Sequence, residues 1–223
     1  MSLREFGLPE FTFLLLSARW TLLLAVVAFA GGGLLGLVIA AMRVGPSAWL
    51  RHIAAGYISF VQSTPILIQL FMVYYGSSFI GLRPDPWPAA AITFCLNSGA
   101  FFGEIFRGSI EAIDKGQWEA SKTLGLRYLA TLRLVILPQA AKLSLPPTVG
   151  FMVQIVKTTS VASLIGLAEL SRTATAINTV TFEPVLVFGT VSAIYFAMCW
   201  PLSLLGRHLE RRLTDGRHRT VAI

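Results

Sequence analysis

Polar and ionisable side chains interrupt the long apolar segments of this chain at only a few positions. Glu104 and Lys157 are ionisable, and each such group costs ~2.5–3.5 kcal/mol to insert in a bilayer, so residues of this kind usually have a function. Asn97 precedes Glu104 by seven residues, which places both side chains on one face of a helix. The pattern predicts a pathway that holds a polar solute. Its candidate residues are Asn97, Glu104, Lys157, Thr158, Thr159, Ser160, Gln62 and Thr64.

Several of these candidates also have a purely structural interpretation, which the sequence leaves open. Glu104 lies three residues before Arg107, so the two can form an ion pair on one helix. Lys157 can extend its ammonium group to the membrane surface. Pro65, close to the candidates Gln62 and Thr64, frees a backbone carbonyl that nearby hydroxyls can satisfy.

The residues that would carry other chemistry are missing or scattered. The sequence has no G-x-x-x-x-G-K-[ST] phosphate loop and no G-x-S-x-G nucleophile elbow. Its three histidines lie far apart, which is a poor basis for a metal or acid–base site. Cys95 and Cys199 lie in apolar segments and give no disulfide framework. We therefore expect no catalytic residue, metal site or cofactor in this chain, and an energy source in a partner.

The composition indicates where these polar residues are held. The 223 residues are 55% hydrophobic and only 13% charged, with a mean hydropathy of +0.69. A soluble domain carries about 25% charged residues, so this chain is predicted to be an all-α integral membrane protein. The net charge of +7 comes from basic residues in the gaps between apolar segments. That placement is typical of contact with anionic lipid and not of nucleic-acid binding.

Five apolar segments approach or exceed the ~20 residues that cross a bilayer. They cover residues 20–42, 53–82, 87–106, 132–156 and 184–206. The second is longer than one span needs, and Ser63-Thr64-Pro65 interrupts it. The fourth contains Pro138, Pro146 and Pro147, so it cannot be one regular helix. Residues 158–168 are apolar but too short to cross, which predicts a re-entrant or surface segment.

Two glycine pairs lie inside these segments at a spacing that lets helices approach closely. Gly32 and Gly36 form a small-xxx-small pair in the first span, and Gly99 and Gly103 form another in the third. The alternative for the first pair is a glycine cluster that lipid tolerates without a helix partner.

A short charged segment, residues 112–131, separates the third and fourth spans. Asp114 is a good N-cap with Gln117 three residues later, and Gly125 is a good residue to end a helix. The resulting helix of about ten residues, roughly 15 Å long, is too short to cross a membrane or to be stable alone in water. The span ends or a partner must therefore pack on it, or it is an ordinary capped loop helix.

The basic residues predict the orientation of the five spans. Twelve Lys and Arg residues lie in residues 43–52, 107–133 and the C-terminal tail, against four on the other side. The positive-inside rule then places the N-terminus outside and the C-terminus inside. We divide the chain into an outer tail of residues 1–14, a membrane domain of residues 15–208 and a basic cytoplasmic tail of residues 209–223.

The charged segment also carries a family resemblance. Gly116-Gln117-Trp118-Glu119-Ala120-Ser121, with Gly125 and then Ile136-Leu137-Pro138-Gln139-Ala140, resembles the cytoplasmic loop of binding-protein-dependent ABC transporter permeases. The match is narrower to polar amino-acid permeases of the histidine, glutamine, glutamate and arginine type, and it covers roughly residues 15–205. The supporting stretches are Gln62-Ser63-Thr64-Pro65, Gln69-Leu70-Phe71, Tyr74-Tyr75-Gly76, Glu104-Ile105-Phe106-Arg107-Gly108, Lys157-Thr158-Thr159-Ser160, Ile165-Gly166 and Glu169-Leu170. Ser121 stands where alanine is usual, and Ser63 where glycine is frequent.

The resemblance implies the fold of a type I importer permease in the bacterial inner membrane, with a coupling helix in residues 112–131. The residues expected to dock on an ATPase subunit are Gly116, Gln117, Glu119, Ala120, Ser121 and Gly125. The implied partners are two ATP-binding subunits that hold ATP and Mg²⁺, a second permease subunit and a periplasmic amino-acid-binding protein. For a zwitterionic amino acid, Glu104 would accept from the ammonium group, and Lys157, Thr159 and Ser160 would donate to the carboxylate.

Three other functions remain as alternatives at this point. A self-contained secondary transporter would need more spans or an internal repeat, and the chain shows no repeat. A membrane-embedded enzyme would need clustered catalytic residues. A channel for small polar solutes would conduct without ATP.

Overall fold

A computed structural model describes residues 5–82 and 85–220, without the side chains of Ile80 and residues 214–220. Every regular element in this part of the chain is helical, as the composition predicts. The helices are α1 (Leu8–Val44), α2 (Ala48–Ser63), α3 (Ile66–Tyr74), α4 (Pro86–Glu111), α5 (Lys115–Thr123), α6 (Tyr128–Thr131), α7 (Leu137–Thr158), α8 (Leu170–Thr181) and α9 (Pro184–Thr220). Two 3₁₀ segments, Gly76–Ile80 and Thr159–Ile165, and a π segment, Leu132–Ile136, join them.

Helices α1 and α4 form the closest helix contact of the bundle. A Cβ built on Gly36 would lie 2.4 Å from Phe102 Cβ, and one on Gly103 would lie 2.6 Å from Ile39 Cγ2. Gly32 meets Ser98 in the same way. The first glycine pair therefore does admit a second helix, and that helix is α4, which carries the other pair. No side chain larger than hydrogen fits at these contacts without displacing the neighbouring helix.

The second apolar segment is broken where Pro65 predicts an interruption. Helices α2 and α3 meet at a bend of 102° around Thr64 and Pro65. Four other helices or helix runs in the described part of the chain are long and apolar enough to cross a membrane, so the total is five when the bent pair counts as one span. The predicted number of five spans agrees with this range of four to five.

The proline-rich fourth span is a regular α-helix in its middle and has a π segment before it and a 3₁₀ segment after it. The π segment Leu132–Ile136 lies directly before Pro138, whose ring nitrogen has no hydrogen to donate to the preceding turn. Helix α7, however, continues through Pro146 and Pro147 to Thr158. Membrane helices tolerate such prolines because neighbouring groups satisfy the freed carbonyls.

The segment after α7 contributes side chains to the core of the bundle. Thr159, Ala162 and Ile165 of its 3₁₀ helix are buried, and the last two contact the largest apolar cluster of the bundle. Gly166 ends it with a φ of +87°, a conformation that glycine adopts without strain. Residues 158–168 therefore pack against neighbouring helices on one side and expose Leu164 on the other. Whether the segment is re-entrant or lies at the membrane surface stays a prediction.

Both predicted tails contain helix in the part that the structure describes. Helix α1 begins at Leu8, and the Gly7 N–H donates to Glu10 Oε2 at 3.0 Å. At the other end, α9 continues to Thr220. The predicted spans 20–42 and 184–206 are shorter than helices α1 and α9, because hydropathy identifies only the apolar part of a helix. Arg4 and Arg83, which entered the orientation count, lie outside the described residues.

Candidate functional site

A polar pocket of about 360 Å³ opens where the α2–α3 break faces α4 and α7. This volume lies in the range of about 300–1,000 Å³ that is usual for small-molecule sites. None of the lining residues is charged. They are Val61, Gln62, Thr64, Ile66, Phe94, Asn97, Ser98, Phe101, Phe151, Gln154, Ile155 and Thr158.

The side chain of Gln69 holds the broken backbone at the edge of this pocket. Its amide Nε2 donates to the carbonyls of Val61 at 2.8 Å and Thr64 at 3.0 Å. Its amide oxygen accepts from Asn97 Nδ2 at 3.2 Å. Thr64 Oγ1 in turn donates to the carbonyl of Phe60 at 2.9 Å. The Phe60, Val61 and Thr64 carbonyls at the bend are therefore satisfied by side chains, and Gln69 connects the bend to α4.

Half of the predicted pathway residues meet in this pocket. Gln62 and Thr64 come from the end of α2, Asn97 from α4 and Thr158 from the end of α7. The broken segment and the end of α7 thus contribute to one cavity, as expected for irregular backbone at membrane depth. Within the described residues, no group of three His, Cys, Asp or Glu side chains is arranged to hold a metal.

Glu104 does not line the pocket, although it lies seven residues from Asn97. Arg107 Nε donates to both carboxylate oxygens of Glu104, at 3.0 and 3.1 Å, and its two terminal nitrogens contact Glu104 and Glu111. The i,i+3 ion pair that the sequence left open is therefore present. A carboxylate engaged in this way has less capacity to accept a hydrogen bond from a solute.

The hydroxyl groups that follow Lys157 donate to backbone carbonyls and do not line the pocket. Thr159 is buried and its hydroxyl donates to the Val156 carbonyl at 2.7 Å, while Ser160 donates to the Lys157 carbonyl at 2.8 Å. The Lys157 side chain is exposed. None of the three is among the residues that line the pocket. The prediction that they donate jointly to a carboxylate has no support in this arrangement.

Sequence reasoning missed four residues that contribute to the site. Gln154 lines the pocket, and its Nε2 lies 3.5 Å from Thr158 Oγ1. Phe101 and Phe151 stack with ring centroids 4.9 Å apart and form an apolar wall. Gln69 holds the bend. Both glutamines are uncharged amides inside apolar segments, and that feature, rather than an ionisable group, is the sequence signal that marks them.

A second polar cluster, which shares no residue with the pocket, surrounds Glu169. This side chain is fully buried and accepts from Thr21 Oγ1 and Tyr195 Oη, both at 3.2 Å, and from the Arg172 N–H at 2.9 Å. Tyr195 Oη also lies 3.1 Å from Ser171 Oγ. Burial raises the pKa of the Glu169 carboxyl above its ordinary value, because a charged group is disfavoured away from water. The cluster joins α1, α8 and α9.

Helix α5 has the ends that its sequence predicts. The Gly116 N–H donates to Asp114 Oδ1 at 2.6 Å, which caps the first turn. Gly125 has a φ of +74°, and its N–H donates to the Lys122 carbonyl, while the Leu126 N–H reaches the Ser121 carbonyl. This pair of bonds is a Schellman motif.

The two faces of α5 differ in exposure. Trp118 stacks on Tyr128 with centroids 6.0 Å apart, and Ser121 is buried and donates to the Gln117 carbonyl. The exposed residues among those expected to dock are Gly116, Gln117, Glu119, Ala120 and Gly125. Ser121 therefore faces the bundle and is not placed to contact a partner.

The chain was then compared with known proteins. The family model for the binding-protein-dependent transport system inner membrane component matches residues 32–215. The L-cystine transport system permease protein TcyB of Bacillus subtilis (strain 168) is 40% identical over 195 residues, which cover 87% of this chain and 83% of the relative. The glutamine transport system permease protein GlnP of Escherichia coli (strain K12) is 36% identical over 207 residues, 92% of this chain and 94% of the relative.

Solved structures agree with these relatives. A crystal structure of an amino acid ABC transporter with histidines has a chain that superposes with a TM-score of 0.88 at 33% identity, over 95% of this chain and 100% of that one. The MetNI methionine ABC transporter gives a TM-score of 0.77 at 19% identity, over 93% and 99% of the two chains, which supports the fold alone.

Proposed function

Because the chain belongs to the family of binding-protein-dependent transport system inner membrane components and is an amino-acid ABC transporter permease, we propose that it imports a polar amino acid by alternating access. The amino acid would cross at the polar pocket beside the α2–α3 break. The energy would come from ATP and Mg²⁺ bound to two copies of a partner ATPase. A second permease subunit, identical or paralogous, would complete the pathway, and a periplasmic binding protein would deliver the solute.

The observation that carries this proposal is the combination of amide, hydroxyl and aromatic side chains in one cavity. Gln154, Asn97 and Thr158 offer donors and acceptors for a polar solute, and Phe101 and Phe151 cover its apolar atoms. A site of this kind fixes orientation with a few polar groups in a mainly apolar wall.

The uncharged lining further supports a substrate with a neutral side chain. The ammonium and carboxylate of an amino acid balance each other, but a charged side chain would add a net charge that loses its hydration in the pocket, and no lining residue of this chain offers an opposite charge. Two of the relatives are described as transporting cystine and glutamine. We expect uptake of an amino acid of this neutral polar class to be competed by glutamine or cystine and not by glutamate or arginine.

The test of the pocket compares two threonines that make the same backbone hydrogen bond. Thr158 Oγ1 donates to the Gln154 carbonyl at 2.8 Å, and Thr179 Oγ1 donates to the Thr175 carbonyl at 3.0 Å, but only Thr158 lines the pocket. Thr158→Val should lower amino-acid uptake about threefold to tenfold through one lost hydrogen bond, and Gln154→Leu should lower it further. Thr179→Val should leave uptake unchanged. Equal uptake in all three variants would refute the pocket as the transport site.

The role proposed for α5 is docking on the ATPase through its exposed face. Glu119 is exposed on that face, whereas Glu183 precedes α9 and is distant from α5 in the sequence. Glu119→Lys should release the ATPase subunit during purification and abolish uptake, because the charge at the docking surface is reversed. Glu183→Lys makes the same charge change and should retain the ATPase. Retention of the ATPase by both variants would contradict the docking role.

A further inference from the structure

We propose that a second cavity, the apolar pocket between the end of α1 and α6–α7, holds an acyl chain of an anionic phospholipid, with Arg51 at its rim binding the headgroup phosphate. The cavity has a volume of about 520 Å³ and lies at the same end of the bundle as α5. It is separate from the polar pocket, with which it shares no lining residue.

The walls of this apolar pocket offer no free hydroxyl hydrogen to a polar occupant. The only lining side chains with a hydroxyl are those of Tyr128 and Ser144. Tyr128 Oη donates to the Val44 carbonyl at 3.2 Å, and Ser144 Oγ donates to the Ala141 carbonyl at 2.9 Å. Both hydroxyl hydrogens are therefore used within the chain, and the pocket suits a hydrocarbon.

One basic side chain, that of Arg51, lies at the edge of the apolar pocket, and two other arginines adjoin its lining in the sequence. Arg51 Nη1 donates to the carbonyls of Gly45 and Pro46, at 3.0 and 3.1 Å, and both of these residues line the pocket. Arg43 and Arg127 directly precede the lining residues Val44 and Tyr128. The buried Nε of Arg43 has no hydrogen-bond partner among the described residues.

This arrangement of charge favours lipid over a protein occupant. Arginines at the end of an apolar span lie at the depth of lipid phosphates, and each strengthens binding to an anionic surface. A second copy of the chain docked here about a twofold axis would place the same arginines opposite each other, which is repulsive. An amphipathic molecule with a negative head and an apolar tail satisfies both the rim and the walls.

The experiment counts bound lipids by native mass spectrometry. The full-length chain, with the subunits that co-purify, is prepared in nonionic detergent and mixed with palmitoyl-oleoyl phosphatidylglycerol or phosphatidylcholine. We expect preferential retention of phosphatidylglycerol. Arg51→Gln and Arg127→Gln should each lower its occupancy about fivefold, the effect of one basic residue near an anionic surface. The double variant Arg211→Gln, Arg212→Gln removes two charges from α9, which contributes no residue to the pocket, and should leave phosphatidylglycerol occupancy unchanged.

Two variants fill the cavity without removing charge. Ala41 and Ala141 line the pocket from different helices and are both exposed, so phenylalanine at either position extends into the cavity and not into the packed core. Each variant should lower phosphatidylglycerol occupancy at least fivefold while circular dichroism keeps the helical signal. If one fails to fold, the other still decides the question.

Three outcomes would overturn the proposal. Equal retention of the two lipids by the native chain would remove the headgroup preference. A preference that survives both phenylalanine variants would place the lipid on the general surface and not in the pocket. A disulfide between copies carrying Ala41→Cys, formed in the membrane, would show that the chain itself covers this surface.

Discussion

The two sides of α4 are built in opposite ways. Towards α1, Gly36 and Gly103 bring two long helices into backbone contact. On its other side, Asn97 and Phe101 face a pocket bounded by the broken α2–α3 segment and by α7, which is irregular at both ends. Regular helices pack closely only where side chains are small, and broken helices leave polar groups accessible. We therefore expect α1 and α4 to behave as one rigid body and the pocket side to change during transport.

The largest effect is expected where the rigid side is broken directly. In Gly36→Leu, the added Cβ alone would lie 2.4 Å from Phe102 Cβ and 2.9 Å from the Gly103 nitrogen. Because a backbone atom cannot move aside, this variant should lose about 3 kcal/mol or more of folding free energy. The measurement is thermal unfolding followed by tryptophan fluorescence in detergent.

A neighbouring glycine provides the control for this prediction. A Cβ on Gly33 meets nothing within 4 Å, so Gly33→Leu adds the same side chain without a helix contact. It should unfold at the temperature of the native chain. Equal destabilisation of the two variants would mean that leucine acts through the helix itself and not through the α1–α4 contact.

The next effect concerns the polar cluster that ties α1 to α8 and α9. Glu169→Leu leaves Thr21 Oγ1, Tyr195 Oη and the Arg172 N–H without their buried acceptor. We expect the free energy of unfolding to fall by about 2–3 kcal/mol. These buried donors have given up their hydrogen bonds to water, and without Glu169 no acceptor in the protein replaces them. Glu169→Gln keeps one acceptor oxygen and should lose less than half as much.

The same carboxyl should make stability depend on pH. Burial raises the pKa of Glu169 in the folded chain above its ordinary value of 4.5, so the folded state holds the proton more tightly than the unfolded state. This contribution is fully present below pH 4.5 and is lost as pH rises through the folded-state pKa. Stability should therefore fall across that window in the native chain and remain flatter in Glu169→Gln. Identical pH profiles would show that Glu169 does not titrate differently on folding.

A smaller effect is expected on the pocket side, where one side chain holds the bend. Gln69→Leu removes the bonds to the Val61 and Thr64 carbonyls and to Asn97. Stability should fall by about 1–2 kcal/mol, and amino-acid uptake should fall as well. Gln154→Leu, which alters the lining without the bend, should lower uptake at nearly native stability. Loss of uptake in Gln69→Leu without any loss of stability would place Gln69 in substrate binding and not in the support of the bend.

Local features of the sequence predicted local features of the fold well. The cap at Asp114, the helix end at Gly125 and the break at Pro65 each depend on residues within one turn, so their chemistry is readable from the sequence. The glycine spacing likewise predicted that α1 accepts a close neighbour. The sequence could not identify that neighbour, because any helix with a small face would satisfy the same spacing.

Features that join distant parts of the chain were beyond sequence reasoning. Thr21 and Glu169 are separated by 148 residues, and nothing local to Glu169 distinguishes a buried acid from an exposed one before α8. Four of the predicted pathway residues line the pocket, but Glu104, Lys157, Thr159 and Ser160 do not. Their spacing predicted a shared helix face or turn, whereas the competing partners, Arg107 and nearby carbonyls, became apparent only in the folded chain.

The smallest expected effect distinguishes the ion pair on α4 from the pocket on the same helix. Glu104→Gln keeps the shape of the side chain and removes its charge from a partly exposed i,i+3 pair with Arg107. Such a pair contributes about 0.2–0.5 kcal/mol, so stability should change little, and less at high salt. Asn97→Leu, seven residues earlier, alters the pocket and should lower uptake strongly. If Glu104→Gln leaves the affinity for the amino acid unchanged, binding is confined to the pocket side of α4. A large rise in the half-saturating concentration would instead make Glu104 the acceptor for the substrate ammonium group. The ion pair between Glu104 and Arg107 would then have to open during transport.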